Sequence, residues 1–164
     1  MKIINCSIRK IALLVALCVM TMVSASAQEQ SAANVRFGEL AKRYKGVKGV
    51  ICVTVTKGAG LGLFKAMLNQ QFGKDFMKGV TGVTLIEYSG ASEDVYAALR
   101  KELDTFSTLL KEFDISKEKQ FANSGYAKCF AAASDSGTLS DFIVALESDK
   151  SKVMMYMSGE IKVE

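Results

Sequence analysis

The 164-residue chain has no histidine, no tryptophan and no proline. Without histidine, Ser-His-Asp and Cys-His nucleophile systems, histidine metal sites and histidine pH switches are all excluded. The missing tryptophan weighs against carbohydrate and choline sites, which often use the indole face. Cysteine is scarce, and of Cys6, Cys18, Cys52 and Cys129 only the last two lie beyond the N-terminal apolar segment. They form no C-x-x-C pair and so carry no redox motif. Both fall inside strand-like runs, where a thiol serves as a small buried apolar group. No disulfide is expected, since nothing in the sequence sets Cys52 opposite Cys129.

The N-terminus reads as an export signal. Lys2, Arg9 and Lys10 precede the continuous apolar run Ile11 to Val23, and Ala25 and Ala27 supply small residues for a signal peptidase. Cleavage is expected after Ala27, leaving residues 28–164 as one domain. The apolar run is shorter than the roughly 20 residues a spanning helix needs, so a retained anchor is the weaker reading. Lipidation at Cys18 is also weaker, because the bulky Leu17 stands where lipoprotein processing sites have a small residue. A periplasmic or secreted location is expected, with no membrane span after cleavage.

Export changes the charge balance. All 17 acids lie in the mature part, while three of the 21 basic residues leave with the signal, so the mature charge is about +1. Nothing in that balance points to nucleic acid. Lys42, Arg43, Lys45 and Lys48 form the tightest basic cluster. They sit near the end of a predicted helix, where a solvated basic end is preferred over a patch for an anionic partner.

The order of elements follows from periodicity. A helix is predicted from an N-cap at Asn34 to Gly46, with Phe37, Leu40, Ala41 and Tyr44 on its apolar face. The β-branched run Val47 to Thr56 predicts a strand with Ile51, Val53 and Val55 on one side and Cys52 and Thr54 on the other. Leu61, Phe64, Leu68 and Phe72 predict a second helix ending at Gly73. A strand Gly82 to Tyr88 then leads to a long helix capped by Ser92, whose stripe is Val95, Leu99, Leu103, Phe106, Leu110 and Phe113. After the polar connection Lys111 to Gly125, with room for a short strand or turn, three strand-like runs separated by "SDSG" and "SDKS" predict an antiparallel meander. The expected fold class is α+β, a mixed sheet of about five strands with about three helices mainly on one face.

Between the first strand and the second helix lies "TVTKGAGLGLF", Thr54 to Phe64, which raises the question of a phosphate-cradling loop. A G-x-G-x-x-G fingerprint beginning at Gly58 needs glycine at position 63 and meets Leu63. A Walker loop fails at Leu63, Phe64 and Lys65. The glycines are read as a tight reversal that turns Leu61, Leu63 and Phe64 into the core. The acid pairs Glu93 with Asp94 and Glu102 with Asp104 sit on a helix surface and give no sign of the two buried carboxyls a glycosidase needs. In "KVMMYM", Met155 and Met157 face away from Met154 and Tyr156, which favours core packing over soft-metal binding. No catalytic, cofactor-binding or metal-ligating residue is assigned, and no cofactor is expected.

The runs "GVICVTVTKG", "GVTLIEYSG" and "DFIVALESDKSKVMMYMSGEIKVE", with Gly159, Ile161 and Val163 in an alternating tail, resemble a family of exported bacterial proteins catalogued as domain of unknown function four-two-five-two. The resemblance covers nearly all of the mature chain. It implies a small α+β envelope protein acting by contact with another molecule, and it carries no established active site to transfer. Some relatives look like lipoproteins, from which Leu17 departs. The functional expectation is an exported, non-enzymatic binding or interaction module whose partner is another envelope protein. The alternative is a small hydrolase using carboxylates or a Ser-Lys pair.

Overall fold

A computed structural model describes residues 31–72, 77–115, 125–133 and 138–162 of the chain. The export segment, Gly73 and Val163 lie outside the described residues. Helix α1 spans Ala32–Tyr44 and is capped by Ser31, three residues earlier than expected. Ser31 Oγ accepts the Asn34 N–H at 3.1 Å, so Asn34 supplies a free helix donor and Ser31 satisfies it. Beyond the helix, Val47 N–H bonds to Tyr44 O and Val50 N–H to Val47 O. These turns take up the residues expected to open the first strand, and β1 is confined to Ile51–Val55.

Helix α2 covers Ala59–Phe72, strand β2 Gly79–Glu87 and helix α3 Glu93–Asp104. The expected long third helix stops early. Thr105 Oγ1 donates to Glu102 O, Ser107 Oγ to Asp104 O and Thr108 Oγ1 to Thr105 O, and these hydroxyls compete with the helical ladder. The chain tightens into a 3₁₀ turn, Thr105–Thr108, that still buries Phe106, and Phe113 then enters a short strand β3, Lys111–Phe113. Strands β4 (Tyr126–Ala133), β5 (Thr138–Ser148) and β6 (Ser151–Lys162) complete the fold.

The sheet runs β1-β2-β6-β5-β4-β3 and is antiparallel at every step. The α+β class and the C-terminal meander are as expected. The mixed sheet of about five strands is corrected to six antiparallel ones. A strand-helix-strand order is the usual sign of a parallel crossover, which must return to the far end of the sheet. Here the chain leaves β1 at Val55 and re-enters β2 directly opposite, with Val55 paired to Val83. The extra strand is β3, drawn from the polar connection by pairing Phe113 with Cys129.

The sheet divides the interior. On one face α1 and α3 bury Phe37, Leu40, Leu99 and Leu103 against Ile86, Phe130, Ile143, Met154 and Tyr156. On the other, α2 sets Leu61, Phe64 and Leu68 against Val83, Leu85, Val144, Met155 and Met157. The alternation of Met154 and Tyr156 with Met155 and Met157 is therefore a two-sided core strand, as predicted. Phe37 stacks on Tyr156 at 5.5 Å between ring centroids and meets Phe106 at 5.9 Å, which locks α1 to the centre of the sheet.

Candidate functional site

The glycine stretch resolves first. Only Gly58 has a positive φ, at 82°; Gly60 and Gly62 lie within α2. The Gly62 N–H bonds back to Gly58 O at 3.3 Å, so the backbone that would cradle a phosphate is already winding into the helix. Leu61 and Phe64 are buried as expected, whereas Leu63 is 58% exposed. A helix that buries residues 61, 64 and 68 turns residue 63 toward solvent. A Cβ on Gly62 would meet nothing within 4 Å. Gly62→Ala is accordingly expected to raise stability by about 0.5–1 kcal/mol, read as a higher midpoint in urea.

Polar groups converge instead at Glu147, which is buried although it lies on β5. Tyr88 OH donates to Glu147 Oε1 at 2.9 Å and Arg100 Nε to the same oxygen at 3.0 Å, while Arg100 Nη2 donates to Oε2. The Arg100 guanidinium also lies 4.7 Å above the Tyr126 ring. Glu147 shares the face of Ile143 and Ala145, so its carboxylate is drawn between sheet and α3 and needs these donors.

A second knot joins α1 to the meander. Asp141 sits in a register shift of β5 with φ at 51°, and its Oδ1 accepts hydrogen bonds from both Ser31 Oγ and Tyr156 OH. The same serine thus caps α1 and ties it to β5. Among the described residues no buried side-chain nitrogen or oxygen lacks a partner. In both knots the buried polar atoms are hydrogen-bonded within the protein.

Burial pushes the Tyr88 hydroxyl far above the ordinary tyrosine range, and the Glu147 charge adds to it; burial and the hydrogen bond to Asp141 do the same for Tyr156. A raised tyrosine pKa contributes stability that is intact below the unfolded value of about 10 and is lost as pH rises through the folded value. Alkaline titration is expected to show tyrosinate absorbance appearing together with unfolding above about pH 10, with no separate early ionisation of these two rings.

The helix acids do not converge. Glu102 is held by Arg43 at 2.9 Å, and Asp104 by Lys128 at 2.6 Å, both on exposed surface. Among the described residues no group of three or more His, Cys, Asp or Glu is placed to hold a metal. Cys52 and Cys129 are free. They occupy the first and fifth strands of the sheet, a separation of four strand spacings or about 19 Å, far beyond the reach of a disulfide. Burial pushes the Cys52 thiol up to about 11 and the Cys129 thiol up to about 12, so neither is a ready nucleophile. The signal for Glu147 was present in "DFIVALES", an acid in register with apolar residues two and four places earlier, but its donors come from Tyr88, just after β2, and from α3, which periodicity does not place.

The described sheet has two terminal strands, β3 and β1, and β1 is the longer. It is paired on one side only, and Ile51 is 44% exposed. Lys48 precedes it and Lys57 follows it in the chain, and both, like Lys45 at the end of α1, are exposed. No helix among the described residues is long and apolar enough to cross a membrane. No family model matches the chain, and no curated protein or solved structure matches it.

Proposed function

We propose that residues 28–164 are an exported, non-enzymatic binding or protein-interaction module of the cell envelope. The observation that carries this reading is the contrast between closed polar knots inside and an open, basic-flanked strand edge outside. Glu147, Asp141, Tyr88 and Tyr156 are each hydrogen-bonded to other protein groups, which favours a structural part for them over a catalytic one. The export signal and the resemblance to the exported family support the envelope location.

Two measurements test it. Mature protein used as bait in envelope extract is expected to yield a stoichiometric complex that survives gel filtration. Absence of any complex would overturn the reading, and turnover of a glycan or peptide pool would then favour the small hydrolase. The intact mass of the exported form is expected to begin at Gln28 without an acyl chain, and a mass matching lipid on Cys18 would make it an anchored lipoprotein.

A further inference from the structure

The open edge of β1 has a definite polarity. Tyr88 donates its N–H to Lys152 O in line with the β2–β6 register, so even-numbered residues of β2 direct their backbone to β6 and Leu85 and Glu87 direct theirs to β1. Their partners Val53 and Ile51 therefore bond inward. Cys52 and Thr54 point N–H and C=O off the edge, with no backbone partner among the described residues. The edge is a row of alternating donors and acceptors of the kind an added strand pairs with.

The chain segment around it is basic, while the acid opposite Ile51 on β2, Glu87, accepts the Ser89 N–H at 3.0 Å. No acid occurs between Glu39 and Asp75, and the same stretch holds Lys42, Arg43, Lys45, Lys48, Lys57, Lys65 and Lys74. Arg43 is engaged by Glu102 and Lys65 by Lys78 O, whereas Lys45, Lys48 and Lys57 are exposed and form no ion pair among the described residues. Lys45 caps the C-terminus of α1, in the chain segment that leads into β1. The strand between these lysines carries no charge and shows Ile51 to solvent, with Val53 and Val55 half-buried on the same side.

Deepening the interaction reading above, on which it rests, we propose that β1 accepts an extended segment of another polypeptide as a seventh strand, its centre apolar-alternating and its flanks acidic. A second copy of this chain fits poorly. Antiparallel pairing of two β1 strands about Val53 would bring each copy's Lys48 end to the other's Lys57 end, and like charges across a strand pair repel. The lysines that keep the edge from pairing with itself are the groups that select an acidic partner.

The probe is a labelled peptide, Asp-Glu-Thr-Val-Thr-Val-Thr-Glu-Asp, compared with a lysine-flanked peptide of the same core and with an acidic version whose alternate amides are N-methylated. Anisotropy is expected to show the acidic peptide binding at least about tenfold tighter than either control and weakening as salt rises. Amide exchange is expected to slow at Cys52 and Thr54. Combined Lys45→Glu, Lys48→Glu and Lys57→Glu is expected to abolish binding while the melting curve is retained. Thr54→Pro removes an outward N–H and no backbone bond to β2, and is expected to weaken binding, whereas Thr54→Val, which loses the same Thr54 Oγ1–Thr84 Oγ1 hydrogen bond but keeps the N–H, is expected to leave binding unchanged. No binding, equal binding of the three peptides, unchanged exchange at Cys52 and Thr54, or association with phosphatidylglycerol vesicles in place of peptide would overturn the proposal. An envelope complex that survives the three lysine reversals would overturn it too while leaving the interaction reading intact; absence of any complex removes that reading itself.

Discussion

Arg100→Ala is expected to destabilise the protein by about 3 kcal/mol, because it strips the principal donor from a carboxylate that water reaches poorly. The Glu147 side chain is 4% exposed, whereas Arg100 is 45% exposed. The asymmetry decides the direction of the experiment. An arginine at the rim is solvated when its partner is lost, but a buried glutamate is left with the Tyr88 hydroxyl alone. Glu147→Gln is therefore expected to be milder than Arg100→Ala, since the amide keeps an acceptor for Tyr88 and removes the charge that needed compensation. Urea denaturation of both variants checks the order. Equal losses would mean that the Arg100 stem and its contact with Tyr126, rather than the buried charge, supply the stability.

Gly159→Ala is the other substitution with a large expected effect, about 3 kcal/mol or more. Gly159 has φ at 107°, and a Cβ built there would lie 2.2 Å from Gly79 O and 2.8 Å from Thr81 N. Both obstacles are backbone, so no rotamer change relieves them. The reason is the register shift between Val80 and Gly82, where β2 and β6 approach with glycine on each side: a Cβ on Gly79 would in turn meet Glu160 O at 2.1 Å. Gly159→Ala and Gly62→Ala are expected to shift the urea midpoint in opposite directions, and a neutral Gly159→Ala would show that β6 can slide at this point.

The two glycines also mark what was legible in the chain. "TKGAGLG" looked like a reversal because glycine is conformationally free, but Gly60 and Gly62 use helical angles and only Gly58 uses the freedom. Composition identifies where the backbone can turn and is silent on whether it does. Strands β4, β5 and β6 were readable because each alternates around short turns and pairs with its chain neighbour. The place of β3 in the sheet and the antiparallel entry of β2 were not, since both depend on pairing between segments that local pattern leaves independent. The knots at Glu147 and Asp141 were hidden for the same reason: each draws its donors from separate elements, and Asp141 stands in a register shift that no periodicity anticipates.

The sheet order has a consequence for how the molecule assembles. The hairpins of the meander join residues close along the chain, with Ser148 paired to Ser151 at the β5–β6 turn. The β2–β6 ladder instead joins positions as distant as Gly79 and Glu160, and every such contact closes a long loop before it is rewarded. The meander and the β1–β2 pair are the shorter closures, and the joining of β2 to the β6 edge is the long one. A sheet whose two halves meet along the β6 edge by pairing strands far apart in sequence uses, within one chain, the same edge pairing that an intermolecular strand addition at β1 would repeat.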